Sequence, residues 1–231
     1  MLPVTSAVQR RLWQVAGALL LAHVVLVLGG VALESQLVLG DPQQSAVDAL
    51  VSSSLSQNYA GGFVEYVGFL VLLCGGMLLA RLVRGDTEVS TWLASCAEGG
   101  LVAYVAITVV GGFAAGAAAL YDGHHGAPLA VAVAVNDIRG FAFVLSGGLV
   151  TVIALGLAGA VRLTGALPRW VALSGYAVGV VSLAAIPGAG VGLQNVSTLL
   201  WLVWVLAVGV AALRRGRARD ERPAHRTTLP V

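Results

Sequence analysis

The stretch RGFAFVLSGGLVTVIALGLAGAVR, Arg139 to Arg162, decides the fold class of this chain. Between its two arginines it contains no charged residue, and it is dominated by leucine, valine, alanine and glycine. A helix rises ~1.5 Å per residue, so this stretch is long enough to cross the ~30 Å of hydrocarbon in a bilayer. It therefore predicts a transmembrane helix.

The rest of the chain has the same character. The 231 residues are 58% hydrophobic and 10% charged, with a mean hydropathy of +0.90. A soluble domain carries about 25% charged residues. The many glycines and alanines are typical of membrane helices, whose backbones pack closely through small residues. We therefore expect one membrane domain with no soluble domain attached.

We predict an all-α fold, a polytopic bundle of six transmembrane helices. The predicted spans are residues 12–32, 62–83, 92–116, 139–161, 170–191 and 195–213, with an outer loop at 33–61. Together they form a single domain, 1–213, followed by a basic tail at 214–231. An isolated helix within the outer loop, from Ser45 to Leu55, is also expected.

The arginines predict the orientation. All thirteen basic residues are arginine, and with six spans every one of them except Arg139 falls on the same side of the membrane. The positive-inside rule makes that side cytoplasmic, so both termini are predicted to lie inside. The arginine, alanine, valine and glycine bias is typical of bacterial proteins, and we expect the inner (plasma) membrane as the location.

An internal repeat is also indicated. EYVGFLVLLCGG, from Glu65, aligns with DIRGFAFVLSGG, from Asp137, in spans that run in the same direction. The odd-numbered spans each begin near a tryptophan that is followed by small residues. These patterns favour three helical hairpins of the kind found in transporters. The alternative is chance similarity between segments built from the same few apolar residue types.

Polar residues at the outer ends of the spans form the first candidate site. Depth counting from Arg162 places Arg139 near the outer hydrocarbon boundary, with Asn136 and Asp137 beyond it. Glu65 is the best predicted partner for Arg139. The predicted outward-facing polar pocket consists of Glu65, Asn136, Asp137, Arg139, Gln194 and Asn195. A purely structural ion pair at the lipid headgroups is the alternative.

Two ionisable residues are predicted to lie deeper in the membrane. Glu98 falls roughly 9–12 Å from the cytoplasmic end of span 3, and His23 falls roughly 16 Å into span 1. An ionisable residue inside a membrane is by default a candidate for function. Glu98 could carry a proton or hold a cation. For His23 we favour a neutral imidazole that is hydrogen-bonded to a neighbouring helix.

Other signals are weaker. His124, His125 and Asp122 are a weak candidate metal site in an outer loop, and otherwise no metal or cofactor is expected. Hydrolase, NTPase and nucleic-acid-binding motifs are absent from the sequence, which argues against an enzyme. The expected partners are the lipid bilayer, anionic lipid at the basic tail, and a second copy or another membrane protein.

The closing segments LPRWVALSGYAVGVVSLAAIPGAGVG and LLWLVWVLAVGVAALRR resemble the end of small six-span bacterial membrane proteins of unknown function. The resemblance implies class and topology and brings no catalytic residues. Three function classes therefore stay open. We favour a small-solute or ion transporter or channel-like protein over a non-catalytic scaffold or sensor. A membrane enzyme or haem carrier comes third.

Overall fold

The computed structural model describes residues 6–34 and 54–218, which are mostly helical and contain no strand. The α-helices are α1 (Ser6–Leu33), α2 (Leu55–Val83), α3 (Glu88–Ile107), α4 (Ala115–His124), α5 (Leu129–Thr164), α6 (Arg169–Ala185) and α7 (Leu193–Ala218). A π-helix, Thr108–Ala114, joins α3 to α4, and a 3₁₀ turn, Ala189–Val191, precedes α7.

The helices form a membrane-spanning bundle. Five helical segments are long and apolar enough to cross a membrane, when α3, the π-helix and α4 are counted as one. The sixth, α6, is shorter at 17 residues. Neighbours in the chain are neighbours in space, and α1 also packs against α7, so the helices close a ring in chain order. The predicted helical bundle is confirmed.

Several helices extend further than the sequence predicts. α2 begins at Leu55 rather than at 62, because the Ser54 hydroxyl accepts a hydrogen bond from the backbone N–H of Gln57 and caps the helix. α5 begins at Leu129 rather than at 139. Most of the predicted outer loop, including the predicted Ser45–Leu55 helix up to residue 53, lies outside the described residues.

In contrast, α6 ends earlier than predicted, at Ala185 rather than at 191. Pro187 follows two residues later, and proline lacks the N–H that a continuing helix needs. The chain then turns through Gly192, whose φ of 77° is readily adopted by glycine alone. This tight turn leads directly into α7.

Glycines seven residues apart bring α2 onto α1. A Cβ atom added at Gly61 would lie 2.8 Å from the Gly30 carbonyl oxygen, and one at Gly75 would lie 2.8 Å from the Leu19 Cβ. Gly68 lies between them and faces the Leu26 side chain. Without side chains at these three positions the backbones approach closely, as small residues allow in membranes.

The two ends of the described chain pack together in the same manner. A Cβ atom at Gly17 of α1 would lie 2.7 Å from the Gly209 carbonyl oxygen of α7. Nearer the termini, the Arg215 guanidinium lies 5.1 Å from the centre of the Trp13 ring. The ring of helices is thereby closed between the first and last helix.

With one exception, the described arginines lie at one end of the bundle, which we call the arginine-rich end. These are Arg10, Arg11, Arg81, Arg84, Arg162, Arg169, Arg214, Arg215 and Arg217. Arg139 lies at the opposite end. Trp92 and Trp170 are exposed at the arginine-rich end, as expected at a membrane interface, whereas Trp13 is buried against α7.

The aligned halves of the predicted repeat have different surroundings. Phe69 is 8% exposed and packs in the core, whereas its counterpart Phe141 is 71% exposed. Gly68 contacts α1, whereas no atom would lie within 4 Å of a Cβ at Gly140. The sequence similarity therefore does not extend to equivalent packing.

Candidate functional site: the Arg139 cavity

Arg139, the arginine at the opposite end, forms an ion pair with Glu34. Its Nη2 lies 3.6 Å from the Glu34 Oε2, and both side chains are mostly buried. This corrects the sequence argument, which chose Glu65 as the partner and assigned Glu34 to the outer loop. Because α1 continues to Leu33, Glu34 is held at the helix end and points into the bundle.

Glu65 nevertheless belongs to the same group of charges. It interacts electrostatically with both Glu34 and Arg139. Each of the two acidic side chains extends over a glycine of the other helix. The Glu65 side chain occupies the space over Gly30, and the Glu34 side chain lies over Gly61, where a Cβ atom would be 2.7 Å from its Cγ. The paired glycines thus bring the two acidic side chains close together.

Gly116 of α4 provides the surface on which Arg139 rests. A Cβ atom at Gly116 would lie 3.1 Å from the Arg139 Cδ and 3.3 Å from its Nε. The preceding π-helix packs against α5, with Gly111 facing Ala142. π-Helical segments occur frequently at functional sites. Here the wider turn lies directly beside the ion pair.

These residues surround an open space of about 290 Å³, which we call the Arg139 cavity. It is lined by Glu34, Asn58, Tyr59, Gly62, Phe63, Tyr66, Val109, Gly112, Phe113, Ala114, Gly116, Ala117, Leu120 and Arg139. The Tyr59 hydroxyl donates a hydrogen bond to the Ala117 carbonyl oxygen at 3.3 Å and links two of its walls. The cavity thus combines opposite charges with aromatic surfaces.

The carboxyl group of Glu34 lies just beyond the apolar stretch of α1, and its electrostatics are dominated by burial. Desolvation raises the pKa of Glu34 above its usual value of 4.5, while the positive charge and hydrogen bond of Arg139 lower it by a smaller amount. The proton is therefore held more tightly on Glu34 than on an exposed glutamate.

The other residues of the predicted outer pocket do not join this cavity. Asp137 and Asn195 are exposed, and Asn136 is half-buried nearer the start of α5 than Arg139. Gln194 lines a separate space of about 20 Å³ together with Tyr104 and Ser197. The structure thus brings Arg139 and Glu65 together and leaves the remaining four predicted residues elsewhere.

Glu98 lies at the arginine-rich end and is paired. The Arg84 Nη2 donates to its Oε2 at 2.9 Å, and the Arg81 Nε lies 3.8 Å from its Oε1. The Arg84 guanidinium also donates to the Ser95 hydroxyl at 3.3 Å. The depth of Glu98 was predicted from its position along its own helix. Arg81 and Arg84 reach its carboxylate from the end of α2, so that position alone does not reveal them.

His23 is fully buried between α1 and α2. Its Nδ1 lies 2.9 Å from the Gly68 carbonyl oxygen, so this nitrogen carries the proton and donates it. The ring packs edge-on against Phe69 at a centroid distance of 5.3 Å. The predicted hydrogen bond to a neighbouring helix is confirmed.

The weak metal candidate is not assembled. The His125 ring stacks on Tyr121 at a centroid distance of 3.9 Å, and its Nδ1 lies 2.8 Å from the Tyr121 carbonyl oxygen. Among residues 6–34 and 54–218, no group of three histidine, cysteine, aspartate or glutamate side chains is arranged to hold a metal ion. His124, His125 and Asp122 therefore do not converge.

Three contributors to the cavity were not predicted from the sequence: Glu34, Gly116 and the π-helix. Glu34 carried a signal, because it is the first charged residue after span 1. Gly116 lies four positions after Gly112, a spacing typical of closely packed membrane helices, but the sequence does not indicate which residue it packs against. The π-helix has no clear sequence signature beyond Gly111-Gly112.

Comparisons with known proteins add no relative. No family model, no curated protein and no solved structure matches the chain.

Proposed function

We propose that the protein is a small-solute or ion transporter or channel-like membrane protein, and that the Arg139 cavity binds a small cation. The observation that carries this proposal is the group of charged residues in and beside the cavity, in which Glu34 and Arg139 line the open space and Glu65 lies beside them. Two carboxylates, Glu34 and Glu65, interact with a single guanidinium, Arg139. A bound cation would stabilise both carboxyl groups in their ionised form and leave the three groups and the cation neutral overall.

The walls favour an organic cation over a bare metal ion. Tyr59, Phe63, Tyr66 and Phe113 line the cavity, and aromatic faces attract ammonium groups. The volume of about 290 Å³ lies near the lower limit for small-molecule pockets. A small alkylammonium ion therefore fits the cavity in charge, surface and size.

The packing of the bundle interior supports a binding site that is open to one side of the membrane. Toward the middle of the bundle, one small space of about 20 Å³ is lined by apolar side chains such as Leu72, Leu101 and Ile153. Phe69, Tyr104 and Trp201 pack in a layer between this core and the cavity. A carrier of this kind would have to open this layer to release its solute.

The same closed interior favours a second candidate function, a sensor that binds its ligand without transporting it. A sensor needs the Arg139 cavity but no path across the core. Both functions require the same ligand, but only a transporter moves that ligand across the membrane.

A thermal-shift screen in lipid nanodiscs tests the proposal. The probes are tetramethylammonium, choline, sodium and potassium chlorides, with sodium acetate as an anion control. We expect stabilisation by an organic cation that is lost in Glu34→Gln and Glu65→Gln but kept in Glu88→Gln, an exposed glutamate at the arginine-rich end.

Uptake of the stabilising cation into proteoliposomes then separates the two functions. Flux above that of empty vesicles supports a transporter, and binding without flux supports a sensor. Stabilisation by acetate alone, or cation binding that survives both cavity variants, would contradict a cation site at Arg139.

A further inference from the structure

A second open space lies at the arginine-rich end, far from the Arg139 cavity. It is a groove of about 920 Å³ between the α5–α6 turn and the second half of α7. Its apolar wall includes Val203, Leu206, Ala207 and Val210, and its other end includes Arg214 and Arg215. The mechanism proposed above does not use it.

The groove is apolar along most of its length and basic at one end. Val203, Leu206, Val210 and Arg214 follow one face of α7 at helical spacing, and all four are exposed. From Val203 to Arg214 the helix rises ~16 Å, which is close to half of the ~30 Å hydrocarbon thickness. The apolar length of the groove therefore matches the acyl chains of one leaflet, and its basic end lies where the headgroups would be.

The basic end is held in position. The Arg215 guanidinium lies against the Trp13 ring, at 5.1 Å from its centre, which limits the movement of this side chain. Arg214 is exposed beside it, and the exposed ring of Trp170 lies on the opposite wall. Tryptophan rings favour the level of the lipid headgroups.

We propose that this groove binds one anionic phospholipid from the leaflet that faces the arginine-rich end. The acyl chains lie along Val203, Leu206 and Val210, and the phosphate accepts hydrogen bonds from Arg214 and Arg215. Basic pockets beside membrane helices recognise anionic headgroups through charge, and arginine suits phosphate because its donors are arranged as a fork.

A phospholipid matches the groove better than a second copy of the chain. A two-fold contact through this face would place Arg214 and Arg215 of one copy near the same residues of the other. Like charges that meet in an interface are unfavourable. An anionic lipid instead places its negative phosphate at this basic end and covers the apolar wall.

Lipid retention by the detergent-purified full chain tests this proposal. The protein is incubated with phosphatidylglycerol or phosphatidylcholine, and bound lipid is measured by native mass spectrometry and by the shift in melting temperature. We expect preferential retention of phosphatidylglycerol. Arg214→Gln should weaken it about tenfold, as loss of one charged hydrogen bond predicts, and weaken retention of the zwitterionic phosphatidylcholine by less.

Two further variants test the apolar part of the groove and the specificity of the arginine effect. Ala207→Phe fills the groove while keeping both arginines, so we expect it to reduce retention of both lipids. Arg11→Gln removes an exposed arginine from the same end but outside the groove, and it should have no effect. Equal retention of the two lipids, an Arg11→Gln effect as large as that of Arg214→Gln, or a dimer that occupies the face would overturn the proposal.

Discussion

The His23 imidazole donates its hydrogen bond to the carbonyl oxygen of Gly68, at the level where α2 has no side chain facing α1. The missing side chain and the hydrogen bond depend on each other. Glycine at this position lets the Leu26 and Val27 side chains of α1 lie close to the α2 backbone, where the histidine reaches a carbonyl group. The most buried polar contact of α1 is thus set by a glycine.

Replacement of Gly68 by valine should therefore destabilise the bundle. A Cβ atom there would lie 3.1 Å from the Leu26 Cβ and 3.3 Å from the Val27 Cγ2, and the two further methyl groups of valine increase this crowding. Overpacking of this kind costs about 1–3 kcal/mol. Thermal unfolding in nanodiscs should show a melting temperature lower by several degrees. Gly29→Val, where a Cβ has no neighbour within 4 Å, should leave it nearly unchanged.

The ion pair between Glu34 and Arg139 predicts coupling between the two residues. Because both side chains are mostly buried, we expect a coupling free energy of about 1 kcal/mol in a double-mutant cycle of Glu34→Gln and Arg139→Gln. The cycle of Glu65→Gln with Arg139→Gln should give a smaller value. Additive effects of Glu34→Gln and Arg139→Gln on unfolding would argue against the contact.

Gly116 should matter for the cavity rather than for folding in general. In Gly116→Leu the new side chain must displace the Arg139 guanidinium, whose Cδ lies in its way. We expect loss of cation stabilisation and loss of the Glu34–Arg139 coupling. Gly99→Leu, on the same continuous helix and open to its surroundings, is the matched control. If the two variants had equal effects, the loss would come from adding a leucine to this helix and not from displacing Arg139.

The raised pKa of Glu34 predicts a specific pH dependence. In the folded protein burial penalises the charged form, so this group favours folding fully only below its usual pKa of 4.5. Its contribution is lost as the pH rises from there through the raised pKa. Melting temperatures measured across this range should fall less in Glu34→Gln than in the parent protein. Glu88→Gln should retain the parent profile.

The ion pairs of Glu98 predict a structural role that can be separated from proton transport. Both Glu98→Gln and Arg84→Gln break the 2.9 Å contact, so both should lower the melting temperature by similar amounts. The pair is partly exposed, and we expect an effect of about 1 kcal/mol or less. If Glu98 also carries protons, only Glu98→Gln should abolish proton-coupled flux in vesicles.

The membrane fold was predictable because it depends on local hydrophobicity. Any stretch such as Arg139–Arg162 must be helical in a bilayer, whatever surrounds it. Helix ends were harder to place. The polar residues before Gly61 were assigned to a loop, although Ser54 and Gln57 begin a helix there. Caps depend on a few side chains that hydropathy does not detect.

The site was predictable only in part, because ion pairs depend on which helices are neighbours. Arg139 and Glu65 were identified from their charges. The direct partner, Glu34, required knowledge of how far α1 continues, and the role of Gly116 required the position of α4 against α5. Glu98 was placed at a plausible depth, but the arginines that reach it come from a different helix.

The close contact between Gly17 and Gly209 has a consequence for how the chain can be rewired. Since the first and last helices are neighbours and run antiparallel, a linker between Arg10 and Gly216 would turn the bundle into a covalently continuous loop. The short turn at Gly85 could then be cut to create new termini. We expect this circular permutant to insert into the membrane and to retain the Arg139 cavity, since order around the ring would be unchanged.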